Sequence, residues 1–179
     1  PLEFGTAGLR GTMYTGLHNM NRHVIRWATQ GFANVIRAEG TEAMQKGVVV
    51  CMDCRNHSAE FARETACVMA ANGIHVRLFE SLRPTPELSF AVREYGCEAG
   101  INVTASHNPK EYNGYKAYWT DGAQVTEPHD KNIIAEVAKI TDVNMIQLGK
   151  NPQNITILDE KFDEIYLNKV HELSLSPES

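Results

Sequence analysis

The sequence predicts an α/β protein, a three-layer sandwich around a mainly parallel, mixed sheet with one antiparallel hairpin. Three observations carry that prediction. Short apolar runs alternate along the chain with segments whose apolar residues recur at helical spacing. The run Val48–Met52 is apolar at every position, the pattern of a strand covered on both faces, and a second apolar run spans Ala99–Val103. Polar residues with chemical capacity follow the strand ends directly, at Asp53 and Arg55, Pro84 and Thr85, Ser106 and His107. In parallel strands those ends share one edge of the sheet, where α/β proteins bind ligands.

Taken in order, the chain opens with a glycine-rich stretch, 4–11, that reads as a turn carrying an exposed Arg10 between Gly8 and Gly11. It is no dinucleotide fingerprint, because the glycine spacing is wrong and no strong strand precedes it. Asn21 caps a helix to about Ala38, with Val24, Ile25, Ala28, Phe32, Val35 and Ile36 on one stripe and Gly40 as its stop. A polar stretch then leads to the buried strand Val48–Met52. Ser58 reads as the N-cap of a second helix, 59–71, that faces Phe61, Ala62, Thr65, Ala66 and Met69 inward and stops at Asn72-Gly73. The strand at 74–79 alternates enough to lie near an edge, with His75 outward. Thr85 as cap and Pro86 at the first helical position open a short helix to about Tyr95, closed by Gly96.

The third strand, 99–104, delivers the Ser106 turn. The chain returns at 115–119, turns at 120–122, and pairs back as a hairpin strand at 123–126. Pro128 opens a helix to about Ile140. Gly149, Asn151 and Pro152 mark 143–154 as a linker, and 159–173 forms an amphipathic helix. Phe162, Ile165, Tyr166 and Val170 share a stripe of that helix and need something to pack against. The expected organisation is one domain over 1–142, with 143–179 as a linker and the opening helix of a second.

Composition narrows the function classes. A chain of 179 residues with 42 % apolar and 22 % charged residues can bury a core and is no disordered tail. Its formal charge of −5, with no dense basic block, argues against a nucleic-acid surface. No apolar run approaches the length of a membrane span, and Pro1-Leu2-Glu3-Phe4 is no signal peptide. The absence of an initiator Met leads us to expect either a processed N-terminus or a start inside a larger protein. The pair Cys51 and Cys54 has the spacing of a redox or zinc motif, but Cys51 lies inside an apolar strand and no second Cys/His pair matches it. Without a signal, the triplets at Asn56, Asn102 and Asn154 do not read as glycosylation sites, and the expected compartment is the cytoplasm.

The sharpest chemical signal is Thr104-Ala105-Ser106-His107-Asn108-Pro109 at the end of an apolar strand. Small neighbours leave the Ser106 hydroxyl open, and Asn108-Pro109 cannot continue the strand. Backbone N–H groups in such a turn can converge on an anion. Asp53 and Arg55 read equally well as ligand contacts or as a local brace. A serine hydrolase is disfavoured because Ser106 and His107 are sequence neighbours and no G-x-S-x-G elbow is present, although His57 or His129 could approach.

The order and spacing of 4–11, 53–55, 104–109 and Asn113-Gly114-Tyr115-Lys116 resemble the α-D-phosphohexomutases, nearest to the phosphoglucomutase/phosphopentomutase branch, over 2–140. The resemblance implies a phosphosugar mutase, an intramolecular phosphotransferase of the phosphoglucomutase, phosphomannomutase or phosphopentomutase type. In that family a phosphoserine, here Ser106, moves a phosphoryl group between the 1-position and the terminal hydroxyl of a sugar through a bisphosphorylated intermediate. Ser106, His107, Lys116 and Arg10 are the implied catalytic residues. Thr104, Asn108, Asn113, Gly8, Gly11, Asp53 and Arg55 are implied to bind phosphate or substrate, or to support those that do.

Arg10 and Lys116 suit the role of fixed cations flanking the transferring group. Lys116 suits general acid/base work if Arg10 and a metal lower its pKa. The implied cofactors are Mg²⁺, bound through the Ser106 phosphate with its other ligands outside this chain, and a sugar 1,6-bisphosphate or pentose equivalent as activator. The implied partners are a phosphosugar and the remaining domains of the same polypeptide, with neither nucleic acid nor membrane. The family's Asp-Gly-Asp-Gly-Asp metal loop and its sugar and distal-phosphate loops are absent from this sequence, so this stretch alone is expected to be inactive. The alternative is a non-catalytic sugar-phosphate-binding or regulatory module.

Overall fold

The computed structural model describes residues 2, 5, 8–149 and 151–175. Its centre is a six-stranded mixed sheet built from β1 (Gly8–Thr12), β2 (Val48–Met52), β3 (Val76–Phe79), β4 (Ala99–Val103), β5 (Tyr112–Tyr118) and β6 (Ile155–Leu158). The strand order is β1-β5-β4-β2-β3-β6. Strands β4, β2, β3 and β6 run parallel, and β5 runs antiparallel to both β4 and β1. The helices are α1 (Arg22–Ala38), α2 (Thr41–Lys46), α3 (Ser58–Ala71), α4 (Thr85–Glu94), α5 (His129–Ala138) and α6 (Glu160–Glu172).

Two cores sit on the two faces of the sheet. Val48, Val50, Ile101, Val103 and Tyr115 pack under α1, α3 and α5. Val49, Cys51, Phe79 and Tyr118 pack on the other side against Leu88, Ala91 and Val92 of α4 and Phe162 of α6. The predicted α/β sandwich is therefore the observed one. No helix among the described residues is long and apolar enough to cross a membrane.

Several local expectations are corrected. The 4–11 turn proves to hold the edge strand β1, whose one large apolar side chain, Leu9, is buried. Alternation around a single apolar residue leaves too little pattern to read. The expected hairpin partner of β5, 123–126, makes one bridge, Tyr118 to Gln124, and the antiparallel pairing goes to β4 and β1 instead. Residues 155–158, unassigned from the sequence, form the edge strand β6 outside β3, so β3 lies next to the edge, as its alternation predicts. His75 accordingly does not face solvent freely, since its Nε2 lies 2.9 Å from Thr156 Oγ1.

Asn21 caps α1 as expected, accepting from the N–H groups of His23 and Val24. Ser58 is not a cap: His57, in the left-handed region at φ 63°, precedes the helix, and the Ser58 hydroxyl turns to Asp53. Thr85 likewise begins α4 rather than capping it, and its hydroxyl accepts from Asn102 Nδ2.

The final helix finds its packing partner in α4. Phe162 is buried against Phe79, Phe90 and Tyr95, and Tyr166 meets Phe90, whereas Ile165 and Val170 of the expected stripe stay exposed. Asp163 of α6 accepts from Arg83 Nε at 2.5 Å. It also shares a hydrogen bond with the buried carboxyl of Glu87. Burial first, and Asp163 second, push Glu87 up to about 7, while Arg83 holds Asp163 low. A carboxyl raised this far favours its protonated form below about pH 7, which suits Glu87 to donate to Asp163, with Glu80 and Arg83 beside the pair.

Two outcomes follow for the α4/α6 contact. Phe162→Ala is expected to lower unfolding stability by about 3–5 kcal/mol, the range for emptying a buried aromatic site, as read from urea melts. A loss below about 1 kcal/mol would show that α6 is not anchored there. A carboxyl whose folded pKa lies above its unfolded one stabilises most at low pH and loses that contribution as pH rises toward the folded pKa. Stability is therefore expected to fall between about pH 4.5 and 7, and Glu87→Gln is expected to flatten that slope. An unchanged slope would refute the protonated pair.

Candidate active site

The site is assembled at the edge where β2 and β4 end. Ser106 follows β4 in the left-handed region at φ 57°, a conformation that costs a non-glycine residue about 1–2 kcal/mol. Its N–H donates to Thr104 Oγ1 at 3.0 Å. The bend leaves the side chain exposed and brings Oγ to 3.3 Å from His107 Nδ1. The expectation that adjacent residues would not meet is therefore corrected. His107 has no carboxylate partner among the described residues, so the pair lacks the third member of a hydrolase triad. His57 pairs with Glu60, and His129 stacks on Trp119; neither partners Ser106.

Arg10 and Lys116 reach the site by strand register. Arg10 stands opposite Gly114, and Gly8 opposite Lys116. Alternation puts the two cations on one face as diagonal neighbours, each across from a residue with no side chain. Leu9 and Tyr115, between them, turn to the buried face. Both glycines are required by space: a Cβ at Gly8, which sits at φ 144°, would overlap the Tyr115 carbonyl, and one at Gly114 would lie 2.5 Å from the Thr104 carbonyl oxygen. Arg10, Lys116, Gly5, Gly8 and Gln124 line a cleft of ≈ 290 Å³. Gly11, opposite Asn113, lies buried against Leu2 and Met20 and does not line it.

Arg10 Nη1 donates to Asn108 Oδ1 at 3.0 Å, tying β1 to the serine loop. Lys116 is half-buried and makes no hydrogen bond or ion pair among the described residues. Burial lowers its pKa most, Arg10 lowers it further, and Asp53 opposes them. The expected influence of Arg10 is present, but it is secondary to desolvation.

The remaining candidates sit behind this face. Asp53 Oδ1 accepts from the Arg55 N–H and from the Ser58 hydroxyl. Asn113 is fully buried, donating to Ser58 Oγ and the Asn56 carbonyl while its Oδ1 accepts from the Gly114 N–H. Of the two readings for Asp53 and Arg55, the brace is the one observed, with Arg55 Nε 3.3 Å from Asp53 Oδ2. Ser58 and Gly114 are supporting residues whose roles sequence reasoning missed. The Asn-Gly-Tyr-Lys run pointed toward Gly114, but nothing in the sequence pointed to Ser58.

Among the described residues, no group of three His, Cys, Asp or Glu side chains is placed to hold a metal ion. Asp53, the carboxylate at this edge, is engaged by Arg55 and Ser58. The residues present do not fit a metal ion by themselves. Cys51 is buried, with its thiol pushed up to about 12 chiefly by burial, and Cys54 is exposed, so the C-x-x-C spacing forms no centre.

The family model described as Phosphoglucomutase/phosphomannomutase, alpha/beta/alpha domain I, matches residues 1–144. Human phosphopentomutase is 46 % identical over 138 residues, covering 74 % of this chain and 22 % of that protein. A phosphoglucomutase from Staphylococcus haemolyticus is 35 % identical over 176 residues, covering 96 % of this chain and 32 % of that protein. The solved structure of a protein assigned as a phosphomannomutase, from Thermus thermophilus, superposes with a TM-score of 0.78 at 28 % identity, over 96 % of this chain and 36 % of that one. The chain spans between about a fifth and a third of the length of these curated relatives. On the matched model and the shared fold, this chain belongs to the phosphoglucomutase/phosphomannomutase family, whose first α/β/α domain it contains.

Proposed function

We propose that the protein carrying this chain is a phosphosugar mutase and that Ser106 is its phosphoryl carrier. The observation that carries the reading is an exposed hydroxyl at a left-handed bend, with His107 at 3.3 Å and Arg10 joined to the same loop. Relatives named phosphopentomutase and phosphoglucomutase support a pentose or hexose phosphate as substrate.

In the first half-reaction the bond from phosphorus to Ser106 Oγ breaks as a bond to a sugar hydroxyl oxygen forms. That hydroxyl loses its proton, and Ser106 Oγ gains one. In the second half the bisphosphorylated sugar, reoriented, returns its other phosphoryl group to Ser106, and the protons move back. The sum is an isomerisation between the 1-phosphate and the terminal phosphate, with phosphoserine regenerated. A sugar 1,6-bisphosphate or its pentose equivalent would prime Ser106. Transfer of this kind is governed by position and by charge stabilisation.

Arg10 and Lys116 offer fixed positive charge to the phosphoryl oxygens. The lowered pKa of Lys116 leaves more free amine near neutral pH than an ordinary lysine has, which suits it to accept and return the proton.

In the natural full-length protein, Ser106→Ala is expected to abolish isomerisation of phosphosugars; retained turnover would refute the reading. Lys116→Arg keeps the charge but cannot release a proton at working pH. It is expected to lower kcat by about 10²–10⁴-fold, the usual worth of a general acid/base. Activity within about threefold of the unmodified protein would reduce Lys116 to an electrostatic group. Arg10→Ala is expected to raise the Lys116 titration toward its ordinary value, as followed by ¹³C NMR of labelled lysine, and no shift would contradict the coupling.

A further inference from the structure

Arg55 carries the furthest inference. A guanidinium has five N–H donors in a fixed planar fork. At Arg55 all of them are directed inward. Nη2 donates to the carbonyls of Ser106 at 2.7 Å and Asn108 at 2.6 Å. Nη1 donates to the carbonyls of Pro109 at 2.9 Å and Tyr112 at 3.1 Å. Nε faces Asp53 Oδ2, and the side chain is 12 % exposed. No donor remains for a substrate phosphate, although an arginine at a ligand edge would ordinarily be read as an anion contact.

Three of the carbonyls belong to the serine loop and the fourth to the first residue of β5, and gathering them around one cation holds the loop in its bent form. Left alone, the Ser106 backbone would relax from its left-handed conformation. Asp53 is in turn fixed by Ser58, and Ser58 accepts from Asn113 on β5, three residues before Lys116. The clamp therefore sets the serine loop relative to the strand that carries the cation.

We propose that Arg55 is a positioning residue for transfer at Ser106, acting on the loop backbone and touching no substrate. The assignment rests on the reading of Ser106 as the phosphoryl carrier. Lysine has no fork and cannot satisfy four diverging carbonyls, so Arg55→Lys is not expected to preserve function.

The test uses the natural full-length protein with glucose 1-phosphate and glucose 1,6-bisphosphate, comparing the unmodified protein with Arg55→Ala and Arg55→Lys. A displacement of about 1 Å at the reacting group costs roughly 10²-fold in rate. Both variants are expected to lose about 10²-fold in kcat, with KM for the monophosphate changed less than about threefold. Added guanidinium ion should restore part of kcat in Arg55→Ala but not in Arg55→Lys, where the ammonium fills the space. Hydrogen exchange should quicken at amides 104–112 and stay unchanged in β2 and β3. A KM rise with kcat retained would overturn the proposal in favour of direct substrate binding, and unchanged kcat and exchange would overturn it altogether.

Global acceleration of exchange in Arg55→Ala would report unfolding, and Arg55→Lys then decides by the same kcat and KM criteria. If the unmodified protein takes up no phosphate on Ser106, the functional reading fails. The exchange measurement still settles whether Arg55 holds the loop.

Discussion

The arrangement depends on a closed ring of hydrogen bonds that begins and ends at Ser106. Its N–H donates to Thr104 Oγ1, and the Thr104 N–H donates to the Gly114 carbonyl. The Gly114 N–H donates to Asn113 Oδ1, Asn113 Nδ2 to Ser58 Oγ, and Ser58 Oγ to Asp53 Oδ1. Asp53 braces Arg55, which returns to the Ser106 carbonyl. The Asn113 links, to Gly114 and Ser58, are made between buried groups, so they are the costly ones to leave unmade. Strain at one serine is thereby balanced by a network spanning β2, β4, β5 and the start of α3.

The sheet supplies what such a ring needs. β2 and β4 are buried and paired in parallel, so their ends lie side by side with little freedom to move. β5, antiparallel to both neighbours, brings Asn113 to the loop and Lys116 to the open face, while β1 adds Arg10 beyond it. Glycine at 8 and 114 lets those backbones approach across from the two cations. Ser106 and the two cations thus belong to one sheet and its edge.

Much of this was legible in the sequence. Continuous apolar runs announced β2 and β4, the stripe and Asn21 announced α1, and the residues after the strand ends announced the site edge. What stayed hidden depended on tertiary pairing. β1 has one large buried side chain, and β6 is four residues long with only Leu158 buried, so their neighbours define them. Arg55 looked equally suited to a ligand or a brace, because four backbone carbonyls leave no trace in side-chain identity. Ser58 looked like a helix cap, and its hydroxyl was taken by Asp53 instead.

The most direct measurement is to locate phosphate on the natural protein after brief exposure to ³²P-labelled glucose 1,6-bisphosphate, by intact mass and by peptide mapping. The account predicts one phosphate, on Ser106, that leaves quantitatively when unlabelled glucose 1-phosphate is added. Label on another residue, or a phosphate on Ser106 that the monophosphate cannot remove, would contradict it.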